Sequence, residues 1–492
     1  MGRNRFGWLG LFSLVCLVAA GVLTVLQMIA FSQANDRLPS GVSLGSVPVG
    51  GLTEVQAREQ LLAVYNSDIE LRYGSDSIVL KPASINFRVN AGAMLPQASA
   101  LRGQSNFWVG LGDYMWLRPA SAADVPLSLT YSQESLRRFL EDVAARYDRP
   151  GTPPRADPLT LGFIPGEPGQ ALNVDSALDV IDRALRSPYP EDRVVNLPLV
   201  EQTRVAPSYE TLRELLIENA GLFQFEGLIS LYLSDLDTGD ELTLTIGPTG
   251  TITGPVAFSG MSTIKLPVMV TYYVQQDEVP SQEDRLRLQR MLDQSENFET
   301  DALLRQLGDG DGFEGTRQVV RTMQRLGLVD TYISGLLTEL GAVLAPLETP
   351  ANARTDIQTN PDPFNQTTAR DMGQLTVMIH QCAENRGPLL LAFEGRVTPE
   401  ECQDMITFMS NNLVGPIFVS GGSPGAVVAH KHGWDALPLT NAADAALVYT
   451  PGGNYALTIF IHTPTEMLFD TANRVIISMA RAVHNYYNGE PR

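Results

Sequence analysis

Lysine is nearly missing from this sequence. Of 35 basic residues in 492, lysine accounts for Lys81, Lys265 and Lys431, and arginine for the rest. Arginine keeps its proton in any protein environment, whereas a desolvated lysine can release one, so cationic proton chemistry is confined to those three positions. The plain alternative is an arginine-biased genome that left three accidents. Positive charge is short as well: 55 acidic residues bring the net charge to −20, and no basic run occurs. That excludes nucleic acid and an anionic membrane surface as electrostatic partners, because both need a basic footprint to displace counterions. Cysteine is limited to Cys16, Cys382 and Cys402.

What is present begins with one long apolar run. Residues 6–31 carry no charge and are long enough to cross a hydrocarbon core of about 30 Å as one helix. Arg3 and Arg5 precede it, which orients the N-terminus to the cytoplasm and the remaining chain outward. A cleaved signal peptide is the alternative, but its apolar region is typically only about 7 to 15 residues. The expectation is a single-pass cell-membrane anchor over 1–35 with the rest extracytoplasmic. That compartment permits a bond between Cys382 and Cys402, flanking the apolar PLLLAF, although two free thiols are equally compatible with the sequence.

After a polar stalk, SQANDRLPSG, residues 36–205 read as one α+β unit of short strands and about three helices. Thr53 and Gln56 form a capping box where strand-like alternation becomes helical, Pro150 ends a helix over YSQESLRRFLEDVAARYDRP, and Asp175 caps another. Residues 206–492 read as a second domain. LISLYLSDLDTGDELTLTIG is a hairpin around Asp-Thr-Gly-Asp. A helical middle, three further strands (GAVVAHKHGW, DAALVYT, YALTIFIHT) and a closing helix follow. The pattern implies an antiparallel sheet with helices packed on it, an α+β class.

Three elements carry chemistry. Ser262 and Lys265 stand three apart in GMSTIKLPVM, a spacing that in a helix puts both on one face with a rise of about 4.5 Å. An amine lowered in pKa by burial can take the proton of a serine hydroxyl. Ser-x-x-Lys is expected about once or twice by chance in such a length, but lysine scarcity sharpens it here. Ser295, Glu296 and Asn297 fall between two helical runs; Asn297 suits a substrate amide and Ser295 a proton relay, while the bland reading is a helix cap. Lys431, His432 and Gly433 lie near the end of a strand, where Lys431 suits a carboxylate and Gly433 a substrate backbone laid along the edge. A metal pair from His430 and His432 is the rival, but no further ligand cluster stands nearby. No metal and no cofactor are expected.

In this order the three elements resemble the class A β-lactamase-like serine hydrolases, the penicillin-recognising family, over about 210–490. The resemblance implies a five-stranded antiparallel sheet with helices on both sides. It makes Ser262 the acylated nucleophile, Lys265 its base and Ser295 the proton relay. Asn297 then holds the substrate amide and Lys431 its carboxylate, with the N–H groups of Ser262 and Trp434 as oxyanion hole. His432 replaces the usual hydroxyl residue beside the carboxylate and stands with Asn297, Gly433 and Trp434 among the expected substrate-binding residues. LAPLETPANARTDIQTNPDPFNQTTARDM resembles the family's Ω-loop only at TTARDM, without the water-activating glutamate; Glu348, Asp356 and Asp362 are the acids at hand. Residues 40–200 resemble the peptidoglycan-binding domain of YoaR-type envelope proteins, carried by GVSLGSVPVGGLTEVQA and PGEPGQALNVDSAL. A spacer role is the alternative.

The function these resemblances imply is a serine hydrolase acting on β-lactams or, as a D,D-peptidase, on cell-wall peptide amides. The other class is a non-catalytic or slowly acylating wall-binding sensor that keeps the pocket. The expected partners are a β-lactam or peptidoglycan peptide, the cell wall and the membrane, with the protein a monomer.

Overall fold

The computed structural model describes residues 5–34, 36–101, 107–116, 122–276, 279–339, 344–411 and 415–489. They form two compact units, Met1–Thr152 with Pro168–Thr203, and Pro153–Glu167 with Arg204–Arg492.

The first unit begins with α1, Arg5–Ala34. Its stretch Leu11–Gln33 has a mean hydropathy of 2.5 and is long and apolar enough to cross a membrane. The polar stalk is shorter than its composition implies. Leu38 is already 2% exposed in the core, and its N–H and carbonyl bond Leu52 and Gly51. Helix α2, Glu54–Tyr65, starts in the expected capping box of Thr53 and Gln56 and buries Ala57, Leu61 and Tyr65 at four-residue steps. Two helices without clear periodicity follow. Helix α3, Ala91–Ala100, is built of small residues around Pro96, and α4, Phe107–Met115, is almost wholly apolar. With α5, Gln133–Tyr147, and α6, Val174–Arg186, this unit has more helices than the three the pattern showed. Asn173 caps α6, accepting from the Ser176 N–H. Asp175 instead stands in the first turn, where its charge favours the helix N-terminus and meets Arg137 at 2.6 Å. Leu61, Leu71, Ile85, Met94, Leu140 and Ile181 fill the core.

The second unit is built on a six-stranded antiparallel sheet. Its order is Gly250–Ile252, Glu241–Gly247, Leu228–Asp235, Tyr455–His462, Asn441–Tyr449, Val427–Trp434. The resemblance implied five strands; the sixth arises because a tight turn pairs Gly250 with Gly247 and folds three residues back. The Asp-Thr-Gly-Asp hairpin forms as expected, with Asp235 Oδ1 accepting from the N–H groups of Asp237 and Thr238, an Asx turn.

Strand alternation sends Leu231 and Leu233 to one face and Tyr232 to the other. The first face packs on α7, Tyr209–Leu222, α15, Phe418–Gly422, and α16, Phe469–Asn488. The second packs on a helical lobe of α8, Lys265–Gln275, α9, Gln282–Asp293, α10, Asn297–Leu307, α11, Gly312–Arg325, α12, Ala369–Ala383, α13, Pro388–Ala392, and α14, Pro399–Ser410.

A division at 205/206 would leave the hairpin 153–167 in the first domain, but it packs with the second unit. The Leu161 carbonyl accepts from Asn485 Nδ2 at 2.8 Å, and the Phe163 ring meets Tyr486 at 6.1 Å. Nothing in the linear pattern signals that return.

Cys382 on α12 and Cys402 on α14 are bonded, with Cα atoms 5.8 Å apart. The PLLLAF between them forms the short α13, with Pro388 at its first position, where a missing N–H costs nothing. Closing a loop with a sequence separation of 20 stabilises by about 3 kcal/mol, so the Cys382→Ala/Cys402→Ala variant should melt roughly 6–10 °C lower in calorimetry.

Candidate active site

The strand Phe258–Ser259 leads into a 3-10 turn, Met261–Ile264, and α8 begins at once with Lys265. Met261 has φ +49°, a left-handed conformation unusual for a side chain of its size. Asn365 holds it there. The Asn365 carbonyl accepts from the Gly260 N–H at 2.8 Å, and its Nδ2 donates to the Met261 carbonyl at 3.1 Å. The strained residue thus directly precedes Ser262.

Lys265 Nζ is the hub. It lies 2.9 Å from Ser262 Oγ, 3.0 Å from the Ser295 carbonyl, 3.3 Å from Ser295 Oγ and 2.7 Å from Asn297 Oδ1. Ser295 reaches inward from the α9–α10 connection with φ +60°, and Asn297 is the first residue of α10. The cap position itself belongs to Glu296, so Ser295 and Asn297 are not an ordinary cap. Lys265 is fully buried. Burial depresses its pKa to about 7, against the opposing pull of Asp301 and Glu296.

Asp301 is a residue that the motifs did not disclose. It stands one turn beyond Asn297 on α10, and its carboxylate accepts from Leu337 N–H at 2.8 Å, Thr338 N–H at 2.9 Å and Thr338 Oγ1 at 2.5 Å. It therefore ties the 337–338 turn to the helix that carries Asn297. The four-residue spacing from Asn297 was the available signal.

Lys431 is fully buried on the edge strand, and its Nζ donates to the His432 carbonyl at 2.9 Å. Burial first, then the neighbouring charge of Lys265, lowers it to about 7. Lys81, the third lysine, is exposed in the other unit.

Gly433 has a reason that its sequence did not disclose. A Cβ there would stand 2.8 Å from the Ser262 backbone nitrogen and 3.0 Å from Met261 Cβ. Glycine is needed so that the strand can touch the serine turn itself, before any substrate is considered.

His432 is a correction. Alternation turns it with His430 and Trp434 to the sheet face opposite Lys431. It is 1% exposed, stacked on the Trp434 ring at 5.0 Å and edge-on to Phe418 at 6.5 Å. Burial pushes its pKa down to about 2, so it is neutral and packs rather than grips a carboxylate. His430, on the same face, has its Nδ1 bonded to Asp444 at 2.8 Å.

The Trp434 backbone lies on the free edge of the sheet. The Asp435 N–H bonds inward to the Asn441 carbonyl, and in an antiparallel pair adjacent N–H groups point oppositely. The Trp434 N–H therefore points out from the free edge, next to Gly433 and the Ser262 turn.

None of the three acids considered for water activation bonds the cluster among the described residues. Glu348 is exposed, Asp356 pairs with Arg354 at 2.7 Å, and Asp362 accepts from the Phe364 N–H.

Two family models match the chain. The Beta-lactamase enzyme family covers residues 285–487, and the domain described as "Putative peptidoglycan binding domain" covers residues 78–192. Each model matches one part of the chain, the first within the second unit and the second, apart from 153–167, within the first. Among solved structures, a mutant of PBP-A in an acyl-enzyme complex with penicillin G is 19% identical, covering 57% of this chain and 97% of that one, with a TM-score of 0.40. A β-lactamase from Xanthomonas campestris is 16% identical, covering 56% and 98%, with a TM-score of 0.42. One from Chitinophaga pinensis is 19% identical, covering 56% and 98%, with a TM-score of 0.41. No curated protein matches the chain.

Proposed function

We propose that this chain is a membrane-anchored, extracytoplasmic serine hydrolase acylated at Ser262 by β-lactams or by related cell-wall peptide amides. The observation that carries the reading is a buried lysine amine, lowered to about 7, at 2.9 Å from a serine hydroxyl. Neutral Lys265 takes the Ser262 proton as Oγ bonds to the substrate carbonyl carbon. The resulting oxyanion lies between the N–H groups of Ser262 and Trp434. The carbon–nitrogen bond then breaks while Ser295 relays the proton to the leaving nitrogen, giving a Ser262 ester. Asn297 orients the substrate amide, Lys431 meets its carboxylate, and Gly433 keeps strand and serine in contact. The matched peptidoglycan domain supports a location at the wall, and the apolar length of α1 supports its role as anchor.

A second reading, a slowly acylating sensor, is favoured by one feature. Asp301, the carboxylate that acts most strongly on Lys265, already accepts three hydrogen bonds, which leaves it poorly placed to activate water for ester hydrolysis. Intact-mass spectrometry of the full-length protein with a penicillin, beside Ser262→Ala, tests both. One adduct on the parent and none on the variant is expected. An adduct that decays indicates a hydrolase, one that persists a sensor, and no adduct on the parent sinks the penicillin-recognising reading.

A further inference from the structure

Helix α4 presents an aromatic surface that the site does not use. Trp108 is 64% exposed, Val109 56%, Met115 51%, and Trp116, just past the helix end, 80%. At helical spacing these residues and Gly112 share one stripe roughly 120° wide. Leu111 lies off that stripe and is buried, so one side of the helix is covered while the Trp108 and Trp116 side faces outward.

The neighbouring chain indicates what covers that side. Tyr114 of α4 meets the Phe31 ring, in the last turns of α1, at 5.5 Å. Along α1, Met28, Ala30 and Phe31 are partly covered, in contrast to the exposed side chains before them. The chain enters the core of the unit at Leu38, seven residues after Phe31, a reach of at most about 25 Å. Helix α4 is thus held at the outward end of the apolar span.

We infer that α4 is an interfacial helix lying in the outer headgroup region of a phospholipid bilayer, with Trp108, Val109, Met115 and Trp116 in contact with lipid. The inference rests on α1 being a membrane anchor. Tryptophan favours that depth because its ring is apolar and its N–H polar, and a helix satisfies its own backbone there. Insertion by apolar contact needs no basic footprint, which agrees with a chain of net charge −20. Anchor and α4 together hold this unit against the membrane at two points.

The chain has four tryptophans, at 8, 108, 116 and 434, and they make the test. Full-length protein is placed in phosphatidylcholine nanodiscs with and without lipid brominated high on the acyl chains. Wild-type emission minus that of Trp108→Phe/Trp116→Phe isolates the two α4 rings. Bromolipid should remove at least roughly half of that difference emission, and aqueous iodide little of it, as for interfacial rings. Emission open to iodide and untouched by bromolipid would overturn the inference. Trp8, read alone after Trp434→Phe is added to the double variant, separates the two failures. If bromolipid quenches Trp8 and not the α4 rings, the anchor stands and the interfacial helix falls; if Trp8 is also unquenched, the anchor reading fails and this one with it.

Discussion

Lys265→Met should lower the rate at which penicillin acylates Ser262 by about 10³-fold, the range expected for removal of a positioned general base. The side chain is nearly isosteric, so the cavity stays filled. What is lost is, on the proposed mechanism, the acceptor of the Ser262 proton, and with it the donor to the Ser295 carbonyl and Asn297 Oδ1. Leaving those buried acceptors unpaired costs about 1–3 kcal/mol each, and a parallel melt by circular dichroism separates that loss from the rate effect. The pH profile adds an independent readout. Lys265 acts as a base only when neutral, and its pKa is about 7. Acylation should therefore rise about tenfold per unit up to that region and level off above it. Lys265→Arg, which cannot deprotonate, should be slow and flat. A Lys265→Met enzyme as fast as wild type would remove lysine from the mechanism.

Gly433→Ala is the second large effect. The new Cβ would meet backbone, the Ser262 nitrogen at 2.8 Å, and backbone cannot swing aside as a flexible side chain would. The edge strand must move away from the serine turn by several tenths of an ångström, parting the N–H groups of Ser262 and Trp434. Misplacement on that scale, or loss of one oxyanion donor, costs about 10²-fold in rate. Because the strain is local, stopped-flow acylation should slow while the sheet's circular dichroism is retained. Unchanged acylation would mean that the strand edge takes no part in stabilising the oxyanion.

The helices of the first unit and the sheet of the second were legible to different degrees. The Asp-Thr-Gly-Asp hairpin and the three terminal strands showed as short apolar runs bounded by turn residues, because both faces of this sheet are covered by helices. The helices α3 and α4 lacked a contrast between faces, one rich in small residues and the other apolar almost throughout, so no period showed. His432 was misread because motif position says which residue follows Lys431, whereas strand alternation decides that it points away. Asn365 and Asp301 were missed because their importance comes from what they hold, Met261 and the 337–338 turn, each brought near by the fold.

The sequence by itself determined the chemical inventory: a lysine-poor chain with two of its three lysines beside Ser262 and Gly433, an apolar N-terminal span, and the strand and helix order of the second unit. Those follow from composition and local periodicity. Only the tertiary structure decided that Lys265 is buried enough to fall to about 7, that Gly433 makes room for Ser262, that Cys382 bonds Cys402, and that 153–167 packs with the second unit. Desolvation, close backbone approach and pairing across long loops depend on groups distant in sequence, and none exists until the chain has closed around them.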